Sequence, residues 1–306
     1  MFAAKLYAPG PSTVVQSIVD AYLKRAEMEG WYVAQALAER KSTLADFAGF
    51  LGDVDLDECG PEQIVDWIVS HPGWETPSTK KSKSQHVQAC FNWAANRGKR
   101  RNSKPIIQSN PFAGIFFEES EPRRPMTEAE FGSLLRMSEP GFRRFLMFLW
   151  LTGCRSGEAR QIVWEEIDWA TAVIVKQKHK TRKKTKKARV IYLTAPVLRM
   201  LSLMRRECPE ATGEIFRNSK GRPWLKETLD TKILRLRRKI GLADDVVLHC
   251  IRHAFGTRNA AKPGANIKLV SVAMGHSSVA TTEKYYVNLD REAEAIRREI
   301  SGNPGW

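Results

Sequence analysis

The chain is 306 residues long, 42% hydrophobic and 27% charged, which excludes disordered and collagen-like proteins and leaves room for two globular domains. Its longest unbroken apolar run, Phe145–Leu151, falls far short of a membrane span. Lys and Arg number 49 against 34 Asp and Glu, a formal charge of +15, which points to a polyanionic partner.

The predicted elements begin with a helix over 12–30, capped by Ser12 or Thr13, with Val15, Ile18, Val19, Tyr22 and Ala26 at helical spacing. Residues 1–10 carry no secretory-signal pattern, so none is expected. Further helical segments are expected at 31–51, 61–70 and 82–97, parted by Gly and Pro breaks. Prolines 105, 111, 122 and 125 then interrupt the pattern, and 114–125 reads as a linker. The first domain is therefore 1–113, all helical, and the second is 126–306.

The second domain opens with a capping box, Thr127-x-x-Glu130, and a buried helix follows at 141–152. β-Branched residues in 167–176 and 188–194 flank a basic turn and predict a two-stranded hairpin. Helices are expected again at 195–207, 226–240, 249–261, 266–274 and 290–300. The fold class is mainly α with a small β-sheet, in two domains.

The charge is uneven. Residues 1–120 hold 13 basic and 14 acidic side chains, and eight of the 13 fall at 80–104: Lys80, Lys81, Lys83, Arg97, Lys99, Arg100, Arg101 and Lys104. Between Lys176 and Arg189 nine of 14 residues are basic and none is acidic. A single such run reads as a solvated loop, whereas two in separate segments suit a duplex held from two sides. Arg235, Arg237, Arg238 and Lys239 on a later helix are further candidate backbone contacts. The five cysteines (59, 90, 154, 208 and 250) lack any C-x-x-C spacing, so neither a disulfide framework nor a zinc site is expected and a reducing compartment fits.

Three motifs carry the chemistry. Thr152-Gly153-Cys154-Arg155-Ser156-Gly157-Glu158 follows the buried helix, and Gly153 ends it, leaving Arg155 at the start of the next helix, whose amide dipoles favour an anion. His249 and Arg252 lie one helical turn apart. Met274-Gly275-His276 precedes the pair Tyr285-Tyr286, with Tyr285 nine residues after His276.

In this order and spacing the motifs resemble the tyrosine recombinase (phage integrase) family, whose pattern is T-G-x-R-x-x-E, a β-hairpin lysine, H-x-x-R, L-G-H and a tyrosine. The resemblance spans 126–290; Met274 replaces the usual Leu, a volume-conserving swap. It implies a helical core-binding domain, with the architecture of 1–113, and an α+β catalytic domain. It implies catalytic roles for Arg155, a hairpin lysine, His249, Arg252, His276 and the nucleophile Tyr285, with Glu158 supporting them. For the lysine, Lys180-Thr181 and Lys184-Thr185 both fit; Lys180 directly follows the strand, and Lys184 is the alternative. Lys178, Lys183 and Lys184 join Lys80, Lys81, Lys83, Arg97, Lys99, Arg100 and Arg101 as candidate DNA contacts.

The expected function is site-specific recombination of double-stranded DNA through a 3′-phosphotyrosine, with no metal, ATP or other cofactor. Type IB topoisomerase-like relaxation and a non-catalytic DNA-binding protein on the same fold are the alternatives. A homo-oligomer, a tetramer on DNA joined through the C-terminal tail, is expected, as is a cytoplasmic, nucleoid-associated location with no membrane contact. A further N-terminal arm-binding domain is not expected.

Overall fold

The computed structural model describes residues 11–52, 54–95, 104–117, 123–176, 188–276 and 278. The chain divides into two compact units, residues 1–121 and 122–306. Among the described residues no helix is long and apolar enough to cross a membrane.

The first unit is built from α1 (Pro11–Met28), α2 (Ala34–Leu51), α3 (Pro61–Val69) and α4 (Pro77–Ala94). The helical stripe of α1, Val15, Ile18, Val19 and Tyr22, is buried against α2 and α4. Phe47 meets Trp67 and Phe112 edge-on at 4.9 and 5.1 Å, and Phe91 closes the cluster on Phe112 at 4.7 Å. Burying each such side chain stabilises the unit by about 1.5–3 kcal/mol. Helix α4 starts well before the expected residue 82, because Thr76 caps it, accepting from the Thr79 amide at 3.2 Å, with Pro77 in the first turn.

The segment expected to be a linker is tied down at both ends. Ile115 and Phe117 pack on the first core. Beyond it, Arg124 bridges Glu130 and Asp245, each at 2.7 Å, and the Met126 amide donates to Cys250 O at 3.1 Å. Apolar side chains claim one end and a two-carboxylate clamp the other, and residues 118–122 between them lie outside the described residues.

The second unit runs α5 (Glu128–Met137), α6 (Pro140–Thr152), α7 (Ser156–Ala159), β1 (Ile167–Asp168), β2 (Val173–Lys176), β3 (Arg189–Tyr192), α8 (Ala195–Glu207), α9 (Lys226–Lys239), α10 (Leu248–Ala260) and α11 (Ile267–Met274). The capping box of α5 forms: Thr127 Oγ1 accepts from the Glu130 amide, and Glu130 Oε2 from the Thr127 amide at 2.9 Å. Helix α6, with Phe142, Phe145, Leu146, Phe148 and Leu149 buried, packs against α8 and α10.

The sheet is antiparallel in the order β1-β2-β3, so the expected single strand over 167–176 is two strands. Asp168 breaks it: its Oδ1 accepts from the Ala170 and Thr171 amides at 3.0 and 3.1 Å, an Asx turn that competes with the sheet ladder. The turn between β2 and β3 and the helix expected at 290–300 lie outside the described residues.

Candidate active site

Two helix-ending glycines organise the site. Gly153 stops α6 in the left-handed region, φ 62°, and its amide donates back to Leu149 O at 2.9 Å. Gly275 stops α11 in the same way, φ 70°, with its amide on Val272 O at 2.9 Å. Each carbonyl then holds an arginine from a distant stretch. Gly153 O accepts from Arg252 Nη1 at 2.8 Å, and Gly275 O from Arg155 Nη2 at 3.3 Å. Arg252 Nη1 also donates to Met274 O at 2.7 Å. Three segments far apart in sequence are thus laced together through the two guanidiniums.

The two arginines differ in access. Arg252 sits on α10 and is 3% exposed, whereas the Arg155 side chain is 38% exposed. Arg155 precedes α7, and the expected helix-dipole site there does not form. A helix of four residues aligns too few peptide dipoles to matter. The positive charge comes from side chains instead.

Glu158 steadies Arg155, its Oε1 accepting from Nη1 at 2.9 Å and its Oε2 from the Arg155 amide at 3.1 Å. Burial by itself would raise the Glu158 carboxyl, yet Arg189 and Arg155 together hold it below the usual range, so it stays ionised. Arg189 was counted with the basic run as a candidate phosphate contact; it is 6% exposed and turned inward, Nε on Glu158 Oε2 at 3.4 Å and Nη2 on Ala273 O at 2.9 Å.

His249 and His276 share one cationic field. Desolvation lowers His276 to about 4, followed by the charges of Arg252, Arg155 and Arg189. His249 is exposed by surface area yet crowded enough by neighbouring atoms that desolvation lowers it to about 4, followed by His253, Arg252, Arg123 and Arg155. The His253 ring stands edge-on to His249 at 4.8 Å and is itself lowered by burial and by Arg252. Both imidazoles are therefore neutral at pH 7, and an entering anion would raise them. Arg123 and His253 belong to no motif; His253 is one helical turn from His249 and so legible in the sequence, whereas only the structure brings Arg123 to this cluster.

Arg155, Glu158, His249, Arg252 and His276 thus meet, while Lys180, Tyr285, Lys178, Lys183, Lys184, Arg97, Lys99, Arg100 and Arg101 lie outside the described residues. Lys80 and Lys81 sit half-buried in the first turns of α4. Lys83 does not point freely outward: its Nζ donates to Thr43 Oγ1 at 3.0 Å and lies over the Trp74 ring at 5.4 Å. Lys176 is also internal, 3% exposed, with Nζ 2.8 Å from both Glu166 Oε2 and Gln161 O. Of the later helix, Arg237 is engaged with Asp244 at 3.0 Å, whereas Arg235, Arg238 and Lys239 are exposed. Lys83, Lys176 and Arg237 are thus each engaged within the fold, by Thr43 Oγ1, Glu166 Oε2 and Asp244 Oδ1.

Comparison with known proteins gives the family and the fold. The family model described as "Phage integrase family" matches residues 124–292. Tyrosine recombinase XerC of Methylobacterium sp. (strain 4-46) is 32% identical over 105 residues, 33% of this chain and 32% of that protein, so the match spans about a third of that curated relative. Tyrosine recombinase XerD of Staphylococcus saprophyticus is 21% identical over 290 residues, covering 89% of this chain and 94% of its own length. Among solved structures, the Tn1549 transposon integrase in complex with transposon right end DNA superposes with a TM-score of 0.74 at 19% identity, covering 94% of this chain and 99% of that one. A lambda integrase dimer bound to a COC′ core site gives a TM-score of 0.69 at 18% identity, covering 90% and 78%. At these identities the structures speak for the fold.

Proposed function

Because the chain belongs to the phage integrase family, we propose that it is a site-specific DNA recombinase, cutting and rejoining duplex DNA through a covalent 3′-phosphotyrosine. The observation that carries the reading is the meeting of Arg155, Arg252, His249 and His276, from three separate stretches of chain, in one cationic cluster.

The chemistry follows from that cluster. A phosphodiester under attack gathers charge on its non-bridging oxygens, and preorganised guanidiniums stabilise that charge where water is excluded. Arg155 and Arg252 take this role, with His276 as a further donor. The Tyr285 oxygen attacks phosphorus, the bond to the 5′-oxygen breaks, and the phenolic proton passes to His249. Lys180, or Lys184 in its place, returns a proton to the departing 5′-oxygen. Entry of the phosphate raises both imidazoles from about 4 toward the range in which they hold a proton. The energy of the broken bond stays in the phosphotyrosine, so a 5′-hydroxyl of the partner strand rejoins the chain without nucleotide or metal.

Exchange between two duplexes needs more than one protomer, and we assign that assembly, a tetramer, to the tail beyond Asn288. The lambda integrase tetramer bound to a Holliday junction, with a TM-score of 0.69 at 17% identity, supports the tetramer. Truncation after Asn288 should abolish synaptic complexes while DNA binding remains; unaffected recombination removes the assignment.

The test of the reaction is covalent trapping. Nicked suicide duplexes of randomised sequence are incubated with the protein, and the DNA recovered in denaturant-resistant adducts is sequenced to give the site. Adduct should form with wild type and Tyr286→Phe and be lost in Tyr285→Phe. Absence of adduct from the whole library overturns the enzymatic reading.

A further inference from the structure

We propose that Arg189 is a positioning residue of this site, fixing Glu158, and through it Arg155, against the end of the helix that precedes His276. The proposal rests on the recombinase reading above.

Arg189 is the first residue of β3 and one of the most deeply buried cations in the second unit. Its guanidinium reaches two elements at once. Nε faces Glu158 Oε2 at 3.4 Å, while Nη2 donates to Ala273 O at 2.9 Å and Nη1 to Val272 O at 3.4 Å and Val190 O at 2.5 Å. Ala273 and Val272 lie in the last turn of α11, where a helix runs short of donors for its carbonyls; Val272 O already accepts from the Gly275 amide, so Arg189 chiefly serves Ala273 O. Arg189 supplies donors there, two and three residues before Gly275.

Glu158 is the second half of the link. Its Oε1 accepts from Arg155 Nη1, and its Oε2 is shared between the Arg155 amide at 3.1 Å and Arg189 Nε at 3.4 Å. Arg155 in turn donates to Gly275 O at 3.3 Å, closing a ring from Arg189 through Glu158 and Arg155 to the α11 terminus and back. A planar fork meets a carboxylate and carbonyls in fixed directions, which a lysine ammonium does not do. Without Arg189, Glu158 answers to Arg155 alone, and the guanidinium that must grip the phosphate loses its fixed direction.

Gly275 is consistent with this geometry. A Cβ there would stand 2.6 Å from Arg189 Cζ and Nε, on a backbone already at φ +70°. The glycine leaves space for the guanidinium as well as turning the chain.

The test separates positioning from mere stability. Cleavage of the duplex recovered by covalent selection is measured at saturating DNA, with binding measured separately, for wild type, Arg189→Gln and Arg189→Lys. The same duplex is also prepared with a methylphosphonate at the scissile position, which removes the charge that Arg155 is placed to stabilise. Arg189→Gln should cut the ordinary duplex at least about tenfold more slowly while binding within about twofold of wild type, since the interaction matters mainly in the transition state. On the methylphosphonate duplex its deficit should shrink to about threefold or less, because the misplaced group is no longer needed. Arg189→Lys should behave as Arg189→Gln, since charge without the fork does not restore direction; should Arg189→Gln fail to melt cooperatively, Arg189→Lys is read on the same ratio. Equal losses on both duplexes, or wild-type rates on the ordinary one, overturn the proposal. Wild-type protein that forms no adduct overturns the parent reading instead.

Discussion

Lys176 and Arg189 are cross-strand partners at the open end of the β2–β3 ladder, and each is neutralised by a different glutamate. Lys176 pairs with Glu166 at 2.8 Å and Arg189 with Glu158 at 3.4 Å. Two like charges directly opposite one another would repel, so the base of the basic turn exists because both cations are satisfied from neighbouring segments. The first and last members of the basic run are structural, and only what lies between them remains to meet a polyanion.

Replacing Glu166 with Gln should destabilise the protein by about 3 kcal/mol, because it leaves a buried ammonium without its counter-charge. Lys176→Met, which removes the cation and keeps the volume, should cost no more than about 1 kcal/mol. Chemical denaturation measures both. The salt dependence of DNA binding should be unchanged in Lys176→Met, whereas loss of a true phosphate contact lowers the logarithmic slope by about one. A lowered slope would return Lys176 to the DNA-facing set.

Gly153 and Gly241 allow the contact at the site to be measured apart from the backbone. Both have positive φ, 62° and 69°, but a Cβ on Gly153 would collide with the Phe255 ring while one on Gly241 meets nothing within 4 Å. Gly241→Ala should cost about 1 kcal/mol from the left-handed backbone alone. Gly153→Ala should cost about 3 kcal/mol, the excess being overpacking against α10. Equal effects would mean that Phe255 moves aside freely.

What was legible in the sequence is local. Thr127 and Glu130 announce the start of α5, the apolar sweep of Phe145–Leu151 announces α6, and Gly153 its end, because each signal lies within a few residues of its effect. The motif spacing also singled out Arg155, His249, Arg252 and His276, which the fold brings together. Lys176 and Arg189 were illegible, since their partners lie 10 and 31 residues away and a lysine on paper does not reveal which way it turns. Asp168 was misread for the opposite reason. Its competing turn is local, but β-branched neighbours on both sides hid it. The second function of Gly275, clearance for Arg189, has no sequence signal, because the approaching atoms come from another strand.

Arg155 and Arg252 should separate activity from stability. Arg155 is 38% exposed, and its ion pair with Glu158 contributes little to folding, so Arg155→Lys should lower stability by no more than about 1 kcal/mol. Its adduct formation should fall about 100-fold, since the ammonium cannot fork onto a phosphate. Arg252 is buried and ties Gly153 O to Met274 O. Arg252→Lys should therefore lose about 2 kcal/mol of stability as well as activity, by leaving a buried carbonyl without its donor. Melting curves beside single-turnover cleavage check the pair, and equal melting of the two variants would contradict the burial argument.

Acidity acts on the site through its imidazoles. In the folded protein His249 and His276 are held at about 4, below the ordinary 6.5, so as pH falls the unfolded chain takes up protons first. Their contribution to stability is complete above about 6.5 and is lost as pH falls toward 4. The double variant His249→Gln, His276→Gln should lose stability less steeply than wild type across that window. A bound phosphate places negative charge among the same arginines and raises both imidazoles, so binding at a pH within the window should take up protons. Calorimetric titration with duplex DNA, in buffers of different ionisation enthalpy, measures that uptake directly. It should be present in wild type and much reduced in the double variant; equal uptake in both would put the phosphate away from these rings.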